Sequence, residues 1–282
     1  MSAERCSDLS RAAGESLSAT ATRADHWLLL EARGTWARDV SSGDGLPERA
    51  RDTVTRWLER TPKSRLLFVR RPRRTSERRL AFVVRAHEAE QAVRRIELAG
   101  LDELAACDLD VDGDPADAQL VLVCGHGSRD QCCALRGTAV FGALAGELAE
   151  EELWLSSHHG GHRFAANVLV LPSGLHLGRV EPAAAPAIVA SALAGAIELA
   201  CYRGRTCYEP AVQAAERAVR EVTGRVGVDD LRLAGADGPL VFFEDADGTV
   251  YSARVEEAAG PRVPASCGAE PELQAALSAR IT

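Results

Sequence analysis

Apolar residues come in short blocks along this chain, and the blocks alternate between strand-like and helix-like spacing. Residues 26–31 (HWLLLE), 65–69 and 80–85 are runs of branched and aromatic side chains that read as strands, and residues 47–59 read as a helix with Pro47 at its first turn. The order is β-α-β-β. The second half echoes it, with a strand at 120–124, a helix at 132–150, a short strand at 153–155 and hairpin strands at 167–171 and 175–180 around Pro172-Ser173-Gly174. An Ala-rich segment, residues 183–200, then reads as a helix packed on the sheet. Such an order predicts an α/β fold, a mixed sheet flanked by helices.

Two changes of pattern divide the chain. Asp alternates with Gly between Asp108 and Asp117, but the twelfth position from Asp108 is Gln119 rather than the Glu of a calcium loop, so the segment reads as an acidic linker with a boundary near residue 115. Beyond Arg205, residues 210–223 read as an amphipathic helix, and 239–244 with 249–255 as a hairpin around Ala246-Asp247-Gly248. From Gly260 on, Pro261, Pro264 and Pro271 predict an irregular arm ending in a short helix. The expected organisation is an N-terminal α/β lobe (1–114), a second α/β domain (115–205) and a small C-terminal αβ appendage (206–282).

Composition narrows the function. The 282 residues are 46% hydrophobic, enough for a real core, and the net charge of -8 argues against a nucleic-acid partner. The start of the chain lacks the apolar run of a signal peptide, which predicts a cytoplasmic protein with reduced thiols. The one stretch near membrane length, 183–200, is broken by Pro186 and Glu198, so no membrane partner is expected. Against the acidic background, the arginines between Arg70 and Arg79 form a positive tip. It reads either as a solvated loop or as a docking point for an acidic redox partner.

The chemistry concentrates in 39 residues. Cys124 and Cys133, with eight residues between them on a Gly- and Asp-rich loop that hangs from a strand end, are followed after twenty-four more by His158, and His162 closes the segment HHGGH. The Gly160-Gly161 pair makes a regular helix there unfavourable, so the two histidines read as a loop clamp. Thiolate with imidazole suits zinc or a [2Fe-2S] cluster and excludes calcium and magnesium. Structural zinc usually uses closely spaced Cys pairs, and a wider loop suits a two-iron object. Cys132 beside Cys133 offers the same donor, and His126 and His159 are spare imidazoles. Cys6, Cys107, Cys201, Cys207 and Cys267 read as structural or incidental thiols.

The combined pattern, Cys124-x8-Cys133-x24-His158-x-Gly-Gly-His162 continued by Arg163-Phe164 and Asn167 through Gly174, resembles the sucrase/ferredoxin-like family of thioredoxin-like proteins over roughly residues 5–205. The resemblance implies a thioredoxin-like ferredoxin domain. It also implies a [2Fe-2S] cluster on Cys124, Cys133, His158 and His162, preferring Cys133 to Cys132 on spacing alone. An electron carrier follows, with a reductase or acceptor protein as its redox partner and an oligomeric state the sequence leaves open. Two neutral imidazoles in place of two thiolates raise the potential and couple electron uptake to proton uptake. Arg129 and Asp130 could tune the site or form a local ion pair. The alternatives are a Cys2His2 zinc protein and a sensing or interaction module with a structural cluster. A thiol oxidoreductase lacks a C-x-x-C pair, and a glycosidase lacks a paired carboxylate motif.

Overall fold

Both faces of the central strands are covered, which is why they read as unbroken apolar runs. After a short helix, α1 (Cys6–Ala12), strand β1 (His26–Glu31) sends Leu28 and Leu30 toward Val54 and Trp57 of α2 (Glu48–Arg60), and Trp27 and Leu29 to the opposite side. The computed structural model describes residues 5–73 and 76–282.

Strand β2 (Ser64–Arg70) lies parallel to β1, β3 (Arg79–His87) lies antiparallel on its other edge, and β4 (Glu90–Leu98) and the two-residue β5 (Asp114–Pro115) extend that edge. The same arrangement recurs. Strand β6 (Leu120–Cys124) runs parallel to β7 (Leu153–Ser156) and antiparallel to β8 (Val168–Leu171), which pairs with β9 (Leu175–Leu177) and then β10 (Tyr202–Arg205). The echo in the sequence is therefore a repeated topology. β2 and β7 pair antiparallel at Val69 with Ser156 and Arg70 with Leu155, giving ten strands in the order β10-β9-β8-β6-β7-β2-β1-β3-β4-β5. This mixed α/β architecture, with each βαβ unit followed by a β-hairpin, is consistent with the thioredoxin-like fold.

The sheet curls. β3 and β7 are three strand spacings apart, about 14 Å on a flat sheet, yet the rings of Phe82 and Trp154 meet edge to face at 5.4 Å between centroids. Trp27, Leu29, Leu67, Val69, Leu122 and Leu169 fill the enclosed side. On the outer side α2 covers the first repeat, and α3 (Thr138–Leu144) with α4 (Ala185–Leu193) covers the second. The helix expected over 132–150 is shorter, a single wide π-type turn at Cys133–Gly137 running into α3. No helix among the described residues is long and apolar enough to cross a membrane.

The two repeats differ where it matters. β1 ends on Glu31 as β6 ends on Cys124, and two residues beyond their registered partners Val69 and Ser156 stand Arg71 and His158. In the first repeat these positions hold a buried ion pair, Arg71 Nη2 to Glu31 Oε2 at 2.6 Å. Arg71 is thus withdrawn from the expected positive tip, Arg78 lies 4.0 Å from Glu97, and Arg74 and Thr75 lie outside the described residues.

The tail departs from expectation. Helix α5 (Pro210–Thr223) packs on a four-stranded antiparallel sheet made of β11 (Leu231–Asp237), β12 (Leu240–Asp245), β13 (Val250–Pro264) and β14 (Pro271–Ile281). The residues from Gly260 on form a long hairpin instead of an irregular arm. The prolines are accommodated because pairing shifts register between Ala259 and Arg262, and Gly260 lets β14 approach where a Cβ would stand 2.3 Å from the Gln274 carbonyl oxygen.

Candidate metal centre

The donors hang from strand ends. Cys124 closes β6, its amide bonded to the Asn167 carbonyl at 3.1 Å. Its own carbonyl lies against Gly137, where a Cβ would come within 1.9 Å of the oxygen. Glycine there lets the helical stretch that begins at Cys133 close onto the strand end. His158 follows β7 by two residues. Its amide donates to His126 Nδ1 at 3.1 Å, which leaves the proton on Nε2 for the Ala37 carbonyl at 2.8 Å. Gly160 and Gly161 have φ of +106° and +72°, so the segment is a loop rather than a regular helix, and it folds His162 back over His158.

Both sulfurs face one ring. Cys124 Sγ and Cys133 Sγ each lie 3.7 Å from His158 Nδ1, and these three donor atoms are mutually within 4.8 Å. His162 is on the far side of that ring, its Nδ1 3.4 Å from His158 Nε2. The four donors thus form a row with a sulfur pair at one end and an imidazole pair at the other. The backbone of Ala265, in the turn between β13 and β14, lies close enough to the His162 ring to interact with it.

Electrostatics favour one thiolate. A hydrogen bond from Cys133 holds the Cys124 thiol well below its ordinary pKa, and the same bond with burial pushes Cys133 well above it. Burial and the neighbouring His158 lower His162. His158 and His162 are half-buried, and an open depression lined by Arg38, Asp39, Arg65, His126 and Arg129 reaches His158.

Cys132 turns away from this group, to the sulfurs of Cys6 and Cys267 at 3.5 and 3.3 Å. His159 is fully buried, with its Nδ1 3.0 Å from His176 Nε2, and burial drives its pKa down to about 3. The amide of Thr22 donates to His176 Nδ1. Behind it the fully buried Arg203, lowered to about 9 by burial, donates to the Gly160 carbonyl and Asn167 Oδ1, while Asn167 Nδ2 holds the Gly161 carbonyl. This scaffold for the Gly-Gly loop was not read from the sequence, although Asn167 belongs to the quoted motif. Asp130 is not spent on a local pair with Arg129; its carboxylate accepts the amides of Cys132 and Cys267 at 2.8 and 2.9 Å. Cys6 and Cys267, expected to be incidental, are brought together across 261 positions. Nothing in their local sequence signals it.

A thioredoxin-like sheet with cysteine and histidine donors gathered at its strand ends is built as a ferredoxin-like protein. The chain belongs to the sucrase/ferredoxin-like family, whose profile matches residues 17–204. It is also 36% identical over 141 residues to "Altered inheritance of mitochondria protein 32" of Eremothecium gossypii, a match covering 45% of this chain and 44% of that protein. The chain therefore spans less than half of the length of that relative. No solved structure matches.

Proposed function

We propose that Cys124, Cys133, His158 and His162 hold a [2Fe-2S] cluster and that the protein is a one-electron carrier. The observation that supports this most is the pairing of donors. Each tetrahedral iron needs two outer ligands a few ångströms apart, and the site offers a sulfur pair and an imidazole pair whose nearest nitrogens, His158 Nε2 and His162 Nδ1, are 3.4 Å apart; the His158 ring, whose Nδ1 faces both sulfurs at 3.7 Å, would turn out of the space between the pairs to admit the irons. A Cys2His2 zinc ion needs all four donors around one point, and His162 lies outside the group formed by the other three. When bound, the cluster supplies reversible one-electron chemistry at a potential raised by the two neutral ligands.

The protein's own groups do the rest. Deep burial of Cys124 and Cys133 excludes water from the sulfur end, and half-exposure of His158 and His162 leaves the imidazole end open to proton exchange. His126 accepts the backbone amide of His158 and so fixes the chain that carries this donor. Arg38, Arg65 and Arg129 around the depression give an acidic reductase or acceptor protein a positive place to dock, close to His158.

The test is an absorbance and low-temperature EPR spectrum of anaerobically purified protein before and after dithionite, with iron, sulfide and zinc counted on the same sample. About two irons and two sulfides per chain and a paramagnetic reduced state support the proposal. Zinc bound in place of iron and lost with Cys124→Ser would sink it.

A further inference from the structure

Beyond that centre, the structure gathers a second set of soft donors from three separate parts of the chain. Cys6 comes from the first turn of α1, Cys132 and Asp130 from the loop between β6 and Cys133, and Cys267 from the turn between β13 and β14. The three sulfurs form a near-equilateral triangle with edges of 3.5 Å (Cys6 to Cys132), 3.3 Å (Cys132 to Cys267) and 3.6 Å (Cys267 to Cys6). Asp130 Oδ1 closes the fourth corner, 3.4 Å from Cys267 Sγ and 3.9 Å from Cys6 Sγ. We propose that Cys6, Cys132, Cys267 and Asp130 form a second, mononuclear metal site that takes a tetrahedral zinc ion.

The distances carry the argument. Zinc–sulfur bonds of about 2.3 Å and a zinc–oxygen bond of about 2.0 Å at tetrahedral angles put sulfurs about 3.8 Å apart and sulfur about 3.5 Å from oxygen. The observed edges are within about half an ångström of those values. They are too short to surround a multi-iron cluster, so the site has room for one ion only. They are too long for a disulfide, whose sulfurs sit about 2.05 Å apart, and one disulfide would in any case leave the third thiol unpaired beside a carboxylate. Three thiols and a carboxylate buried together are poorly explained as core packing. Cys6 and Cys132 are fully buried and Asp130 is 5% exposed, an arrangement that costs free energy unless something positive sits among them.

The surroundings are those of a prepared site. The amides of Cys132 and Cys267 each donate to one oxygen of Asp130, which fixes the carboxylate and leaves it lone pairs for an ion. Ser7, next to Cys6 on α1, stands beside the Cys132 sulfur and favours its thiolate form. Soft sulfur with one oxygen selects zinc over calcium or magnesium. On zinc binding three thiols give up their protons to solvent and the carboxylate keeps its charge, so the sum over ligands and ion is -2 and no electrons move. The site would tie α1, the loop leading to Cys133 and the turn that carries Ala265 to one ion.

The test uses the full chain, purified anaerobically without added metal, with zinc, iron and sulfide counted per chain in wild type, Cys6→Ser, Cys267→Ser, Asp130→Asn and Cys124→Ser. We expect about one zinc per chain in wild type and in Cys124→Ser, and at least a tenfold drop in Cys6→Ser and Cys267→Ser. Cobalt exchanged for zinc should give the intense tetrahedral d–d bands and sulfur-to-cobalt charge transfer, lost in the same two variants. Cys267 is on a turn and half-buried, so its replacement tests the site even if Cys6→Ser fails to fold. Zinc that follows Cys124 and not Cys267, or a wild-type protein that binds neither zinc nor cobalt once reduced, overturns the proposal. Iron and sulfide in the Cys267→Ser protein report on the first centre separately, so the two assignments fail independently.

Discussion

Replacing Arg71 by Met leaves the Glu31 carboxylate buried with one donor. In the native protein that carboxylate accepts Arg71 Nε at 3.1 Å, Arg71 Nη2 at 2.6 Å and the Leu80 amide at 3.0 Å, and the side chains are only 4% and 6% exposed. Unit charges about 4 Å apart attract by about 4 kcal/mol at an effective dielectric near 20, and most of that is offset by the loss of hydration of both groups. Removing one partner takes away the attraction and keeps the desolvation of the other, so Arg71→Met should cost about 3–5 kcal/mol. Combining it with Glu31→Leu removes the stranded charge and leaves only the Leu80 amide unpaired, a cost of about 1–3 kcal/mol. The double variant should therefore be more stable than Arg71→Met alone. Urea unfolding of the four proteins at equal metal content measures it. An Arg71→Met protein within about 1 kcal/mol of wild type, or a double variant that loses the sum of the two single losses, would refute the reasoning.

Gly137→Ala should empty the first centre and destabilise the fold by about 1–3 kcal/mol, since the new Cβ would press on the Cys124 carbonyl from 1.9 Å; metal content and thermal midpoint check it together. His159→Ala should leave the visible spectrum nearly intact while costing about 1–3 kcal/mol, because it removes a buried ring and its hydrogen bond to His176 Nε2, leaving that atom only Arg203 as a polar neighbour; loss of colour there with colour kept in His162→Ala reverses the ligand assignment. His158→Cys and His162→Cys should retain a cluster of lower, less pH-dependent potential, measured by redox titration at two pH values. Burial lowers the pKa of His159 to about 3 and that of His176 well below its ordinary value, so both stay neutral when folded and take protons only when unfolded. Their contribution is complete above about pH 6.5 and is lost as pH falls toward the folded values, by about 1.4 kcal/mol per group at pH 5.5. Urea midpoints at pH 7.5 and 5.5 read this slope, and a slope undiminished in His176→Gln assigns it to other groups.

The legible parts of the fold are those whose side chains point to one environment. Residues 26–31 and 120–124 are strands with the bounds the sequence predicts, and α5 spans the predicted 210–223, because apolar residues dominate or recur with a clean period. β4 was missed because Glu90, Gln91, Arg94, Arg95 and Glu97 outnumber its inward Val93, Ile96 and Leu98. β10 was missed for the opposite reason. Its Arg203 and Arg205 are fully buried yet satisfied by carbonyls, so burial there leaves no apolar signature. In β13 and β14 small residues such as Ala258, Ala259, Ala275 and Ala276 blur the alternation, and prolines that read as breaks sit at a register shift and at the strand ends. The grouping of Cys124, Cys133, His158 and His162 is legible in the sequence because they lie within 39 residues. Cys6 and Cys267 could not, because only the folded chain makes them neighbours.

The turn that carries Ala265 and Cys267 closes over donors made much earlier in the chain. A growing chain exposes His162 roughly a hundred residues before Cys267, which at about 5–20 residues per second leaves the first donor set uncovered for on the order of 5–20 s. During synthesis the side that the turn later covers is open as well as the depression beside His158. An iron–sulfur donor acting in that window meets a reachable site. One acting later would reach the proposed centre only through the depression beside His158, so the length of chain between His162 and Cys267 sets how long the wider approach lasts.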